Sequence, residues 1–125
     1  MRIAVVGAHL SGQPLNHQLT SRGARFAGPV RTSPEYALHL LDTVPPKPGL
    51  VRVGEGGCSI AAELWELPPA GLATFLAGLP SPMALGQVRL ADGSAHVGFL
   101  VEPLAVAGAR DISSYRGWRN FLRSL

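Results

Sequence analysis

The sequence predicts an α+β fold: a small mixed or antiparallel β-barrel flanked by short helices. Three observations predict it. Short β-type runs recur at hairpin spacing. Only two or three segments carry helical periodicity. The two kinds do not alternate as a chain of βαβ units would. At 125 residues and 46% apolar, the chain suits one domain spanning 1–125, long enough to form a core without metal or disulfide.

The elements follow in order. Residues 3–7 are apolar throughout and read as a central strand. Residues 14–22 form a short helix, with Leu15 and Leu19 four apart and Gly23 as its stop. Arg25 to Arg31 is a second strand broken by Gly28-Pro29, and Tyr36 to Leu41 a third. The run from Val44 to Gly49, with three prolines, is expected to be a turn or an extended loop. Strands at Leu50 to Val53 and Ser59 to Leu67 follow. Pro68-Pro69 opens a helix whose Leu72, Phe75, Leu76 and Leu79 make one apolar stripe. Residues 84–91 and 95–101 form a hairpin around Asp92-Gly93. Ser113 or Ser114 caps a final helix with Tyr115, Trp118, Leu122 and Leu125 on one side.

Composition narrows the function. Cys58 is the one cysteine, so no intrachain disulfide forms, and a reducing, cytoplasmic setting is expected. No segment is apolar for long enough to span a membrane, and residues 3–6 are too few for a signal peptide. The net charge of +3 comes from ten arginines and Lys47. Four of those arginines lie in the last sixteen residues near Tyr115, Trp118 and Phe121, the weak signal for nucleic acid. With aromatics at 6%, the preferred ligand is a small acid instead.

The candidate chemistry centres on the loop after the first strand, Gly7-Ala8-His9-Leu10-Ser11-Gly12, with Asn16 beyond it. A buried strand ending in such a loop delivers main-chain N–H groups and one imidazole to a single point, and such groups cradle anions. His9 can give or take a proton near neutrality. Ser11 and Asn16 add hydrogen bonds. A histidine satisfying a carbonyl and an asparagine capping a helix explain the same residue types equally well. Other chemistries fare worse. Gly7 and Gly12 have phosphate-loop spacing, but Gln13 stands where lysine is needed. His9, His17, His39 and His96 have no metal-ligand spacing, so no metal or other cofactor is expected. Cys58 leads straight into a strand and reads as a small, half-buried residue.

The string from Val6 to Leu19 resembles the start of the C-terminal domain of allophanate hydrolases. Pro46 to Leu50, Glu63 to Pro68, Leu85-Gly86 to Gly93, Gly98 to Leu100, Gly108 to Ser113 and Gly117 to Arg119 agree in order. The resemblance implies a γ-glutamylcyclotransferase-like fold. It implies that His9 is catalytic and that Ala8, Leu10, Ser11, Gly12, Asn16 and Lys47 bind substrate. In that family an amidase domain removes ammonia from allophanate, and this domain is held to decarboxylate the product, N-carboxycarbamate. No amidase domain is expected here, so a separate amidase would supply the substrate, and Met1 just before the first strand favours a separate gene. The loop lacks the Tyr-Gly-Ser of true cyclotransferases, and Leu79-Pro80-Ser81-Pro82 replaces their post-helix glutamate, which argues against cyclotransferase activity. A non-catalytic module assisting an amidase is the alternative. The expected partners are a small carboxylate substrate and that amidase, with a homodimer left open, and neither nucleic acid nor a membrane.

Overall fold

Eight strands and three short helices build the structure, a computed structural model that describes all residues 1–125. In order they are β1 (Arg2–Val5), α1 (His17–Thr20), β2 (Arg25–Arg31), β3 (Tyr36–Leu41), β4 (Lys47–Arg52), β5 (Ala61–Glu66), α2 (Pro69–Ala77), β6 (Met83–Arg89), β7 (Ala95–Val101), β8 (Arg110–Asp111) and α3 (Trp118–Arg123). A five-stranded sheet runs β2-β5-β1-β7-β6, and a three-stranded sheet runs β4-β3-β8. β1 is central, antiparallel to β5 and parallel to β7. This explains its unbroken apolar run, since both of its faces are covered. Ile3, Ala4 and Val5 are buried accordingly.

The large sheet curls until its edges touch. Thr32, just past β2, bridges Leu90, just past β6. Ser33 N–H donates to the Arg89 carbonyl and Ala91 N–H to the Arg31 carbonyl, both at 2.9 Å. The fold is thus α+β, with its mixed sheet rolled toward a barrel. No helix is long and apolar enough to cross a membrane.

Several elements differ from expectation, each for a local reason. β2 is not broken at Gly28-Pro29: its register shifts just before, between Phe26 and Gly28, and it runs along a sheet edge, where a missing N–H costs nothing. The proline-rich turn is shorter than expected because β4, another edge strand, begins at Lys47 and pairs Pro48 with Leu40 of β3. The helix expected over 14–22 narrows to one turn. The C-terminal helix is split. Residues Ser113–Tyr115 form a 3₁₀ turn, Arg116 is left-handed at φ 63°, and α3 starts afresh at Trp118. The stripe on α2 is only partly packed: Phe75 is buried but Leu76 is 55% exposed. The hairpin of β6 and β7 forms around Asp92-Gly93, but Arg89 pairs with Ala95 and Leu90 N–H donates to the Ser94 carbonyl, so the loop takes in Ala91 as well, with Gly93 at φ 88°.

Two close approaches place β4 against the opening loop. A Cβ on Gly7 would lie 2.3 Å from Pro48 Cδ, so only glycine lets the loop lie there. Gly49 likewise meets Val101 and Leu41 closely. Lys47, one residue before Pro48, is thereby carried to the end of β1.

Candidate functional site at the end of the first strand

The loop after β1 is polarised. The Gly7 carbonyl accepts from Leu10 N–H at 2.9 Å, the Ala8 carbonyl from Leu15 N–H at 2.9 Å, and the His9 carbonyl from Asn16 Nδ2 at 2.8 Å. The N–H groups of these same three residues donate to no acceptor in the chain. All three residues are buried. Buried N–H groups almost always find a partner. Three in succession without one leave donors that a ligand such as an anion can use.

His9 is 7% exposed. Its ring stacks on Phe99 of β7 at 4.7 Å and meets Phe75 of α2 edge-on at 5.3 Å. Its Nε2 lies 2.8 Å from Gln18 Oε1, on α1. With the amide oxygen assigned to that side, Nε2 carries the hydrogen and Nδ1 keeps its lone pair. Nδ1 has no partner in the chain and is not sealed from solvent. Burial pushes the imidazole below its ordinary 6.5; the Gln18 bond opposes this, and Lys47, His17 and Arg22 reinforce it. Gln18 therefore fixes the tautomer, while burial keeps the free ring neutral.

A cavity of about 400 Å³ opens beside His9. Phe75, Phe99, Leu79, Pro80 and Met83 form its apolar wall, and Lys47, Arg22, Gln18 and His17 its polar one. A recess of about 20 Å³ is lined by Gly7, Ala8, His9, Lys47, Met83 and Phe99. It has room for one or two atoms beside the polarised loop. Neither space is lined by aspartate or glutamate. Leu79 and Pro80 hold the post-helix position, so no carboxylate base projects from that wall.

The residues anticipated from the sequence divide into two groups. His9, Lys47 and Ala8 converge on the cavity and its recess. Asn16 spends its amide on the His9 carbonyl and supports the loop from outside. Gly12 sits at φ 78°, the left-handed turn that reverses the chain. Leu10 and Ser11 face the opposite way. Leu10 lines a separate groove with Glu63 and Arg119. Ser11 gives its N–H to Glu63 Oε1 at 2.7 Å and its hydroxyl to Oε2 at 2.8 Å. Arg119 of α3 donates to the Ser11 carbonyl, to its Oγ at 3.0 Å and to Glu63 Oε2 at 3.1 Å. Trp65 Nε1 completes the set at 3.2 Å from Glu63 Oε1. Burial works to raise the Glu63 pKa, but the donors from Ser11, Trp65 and Arg119 together hold it below the ordinary carboxylate range.

Sequence reasoning missed Gln18, Arg22, Phe75 and Phe99. Gln18 and Arg22 lie on one face of the short segment after the loop, four residues apart, and that spacing was the available signal. The two aromatics arrive from distant elements and carry no local signal. Cys58 is half-buried and packs against the core, as a small apolar residue does.

Comparison with known proteins bears on this geometry. The model of a family described as allophanate hydrolase C-terminal domain matches residues 1–123. Urea amidolyase of Lachancea kluyveri is 36% identical over 127 residues, covering 98% of this chain and 7% of that protein. The crystal structure of K. lactis urea amidolyase superposes with a TM-score of 0.94 at 35% identity, over 98% of this chain and 8% of that one. A uropathogenic E. coli-specific protein superposes with a TM-score of 0.89 at 34% identity, over 99% of this chain and 96% of that one. The chain thus spans a small fraction of the urea amidolyases and nearly all of the E. coli chain. A γ-glutamyl cyclotransferase at 11% identity and a TM-score of 0.56 shares the fold alone.

Proposed function

This chain belongs to the allophanate hydrolase C-terminal domain family, and we propose that it binds a small dicarboxylate beside His9 and decarboxylates it. The substrate this reading favours is N-carboxycarbamate, the product of an amidase acting on allophanate. The carrying observation is the polarised loop, whose three free N–H groups adjoin Lys47 and an imidazole with an accessible Nδ1.

The chemistry follows from those groups. N-carboxycarbamate carries two carboxylates on one nitrogen. Losing CO₂ breaks a C–N bond, and the electron pair goes to nitrogen together with a proton. Carbamate is left. The N–H groups and Lys47 hold a carboxylate, and His9 Nδ1 supplies the proton. With no anion beside it, His9 is held neutral by burial. A bound dianion works in the opposite sense, because nearby negative charge favours the imidazolium. Substrate binding therefore draws a proton from solvent onto His9, the substrate nitrogen takes it as the C–N bond breaks, and the ring returns to neutral as charge leaves with the products.

The test supplies the intermediate from an amidase-only enzyme and follows ammonia release with and without this chain. Wild-type protein is expected to accelerate release, and His9→Ala to lose that acceleration. No acceleration by wild type removes the catalytic reading in favour of an accessory module. Equal acceleration by His9→Ala removes the imidazole from the reaction.

A further inference from the structure

We infer that Arg22 is the second anion-binding group of the His9 cavity and makes it selective for dicarboxylates over monocarboxylates. This rests on the carboxylate reading above and goes further, because it assigns the far end of the ligand to a residue.

Arg22 is a rigid cation without a counter-ion. Its Nε donates to Thr74 Oγ1 at 3.0 Å, and its Nη1 to the Gln18 carbonyl at 2.9 Å. The guanidinium lies 5.2 Å from the centre of the Phe75 ring. Its Nη2 has no acceptor in the chain. Neither Arg22 nor Lys47 joins any of the four ion pairs of the molecule. Both nevertheless line one cavity that no carboxylate of the chain enters.

Two cations without counter-ions on one cavity leave two positive charges for a ligand to meet. One ligand with two negative ends meets both. A monocarboxylate meets one.

The placement relative to His9 fits such a ligand. Gln18 holds the His9 ring with its side chain and Arg22 with its carbonyl. Phe75 touches both. Arg22 and His9 are thus fixed by the same two residues. Lys47 lines the recess on the loop side. The guanidinium fork, already immobilised by two hydrogen bonds and the ring, loses little freedom on meeting a planar carboxylate.

The probe is malonate, in which CH₂ replaces the NH of N-carboxycarbamate, compared with acetate. Binding is measured by calorimetry at fixed ionic strength, with the His9 ring signals followed by NMR. Wild-type protein should bind malonate about tenfold or more tighter than acetate. Arg22→Met keeps the stem over Phe75 and loses the charge. It should bring malonate down to the acetate level while leaving acetate unchanged. Arg22→Lys, with charge but no fork, should fall between. Arg123→Met removes one charge from an exposed position lining the other groove and should leave the malonate-to-acetate ratio unchanged.

An unchanged ratio in Arg22→Met overturns the assignment. So does an equal loss for both ligands, which would mark Arg22 as a structural support, and thermal unfolding of the variant checks that it is folded. A wild-type protein that binds neither ligand defeats the carboxylate reading itself, a result distinct from the other two.

Discussion

The loop between β1 and α1 has two faces, and they treat charge in opposite ways. On one face Ser11, Glu63, Trp65 and Arg119 satisfy one another. The carboxylate side chain is 7% exposed and accepts four hydrogen bonds, one from a guanidinium. On the other face Lys47 and Arg22 have no counter-ion, and three N–H groups have no acceptor. Both faces are built on the same six residues. A buried charge with its partners in place holds structure together. Buried donors without acceptors are costly unless something from outside completes them, and two cations without counter-ions beside them favour an anion. The difference locates the ligand side more sharply than residue types do.

The largest effects should separate the faces. His9→Gln removes the proton donor and should lower the decarboxylation rate by about 10²–10⁴-fold. Its stability above pH 6.5 should fall only modestly, by about 1–2 kcal/mol, since the neutral ring gives up its stacking on Phe99 and its bond to Gln18. Glu63→Leu should do the reverse. It leaves the Ser11 N–H, the Trp65 N–H and Arg119 without their acceptor and should cost about 3–5 kcal/mol. That is a large part of the stability of a domain this size, about 5–15 kcal/mol. Arg119 is 35% exposed, so water replaces part of its bond and Arg119→Met should cost less, about 2 kcal/mol. Denaturant melts and the coupled ammonia assay read both axes. A His9→Gln protein that unfolds early but turns over normally would erase the distinction.

Gly7→Ala comes next. The added methyl meets the Pro48 ring, so the loop and β4 must part. Overpacking of this kind costs about 1–3 kcal/mol. Because the same shift moves Lys47 from the N–H groups, malonate affinity should fall with stability. A variant that loses stability but binds malonate normally would uncouple β4 from the site.

Acid should distinguish the faces without mutation. His9 is held below 6.5 by burial. Below that pH the unfolded chain takes a proton that the folded one refuses, so stability is full above 6.5 and falls as pH drops toward the folded value. Glu63 is held below 4.5 by its donors, and its stabilisation is present above 4.5 and lost as pH falls through its lower folded value. His9→Gln should abolish the upper slope and Glu63→Gln the lower. Malonate should reverse the His9 slope, since a bound anion favours the imidazolium.

The sequence carried more of the fold than of the site. Alternation, proline and Asp-Gly punctuation located nearly every element, because those signals are local. It misjudged Pro29 and Pro48, since whether a proline is tolerated depends on whether its strand lies at an edge, which is a property of the assembled sheet. His9 and Ala8 were singled out from the loop and Lys47 from the family resemblance, and the structure brings the three to one cavity and its recess. Phe75 and Phe99 were not legible, as they reach His9 from α2 and β7. Ser11 was placed with the ligand because a hydroxyl beside a histidine suggests it. Only the position of Glu63 on β5, facing the loop, turns that hydroxyl away.

Ser11→Ala is the mildest test and aims at that last point. The variant keeps the N–H bond to Glu63 Oε1 and loses the hydroxyl bond to Oε2. Arg119 still reaches both the Ser11 carbonyl and the carboxylate. One hydrogen bond to a charged, still-solvated network is worth about 1–2 kcal/mol. The free energy of unfolding should drop by that amount, with ammonia release and malonate affinity unchanged. A rate that falls as far as in His9→Gln, with stability intact, would put the Ser11 hydroxyl against the substrate. The two faces of the loop would then be one site.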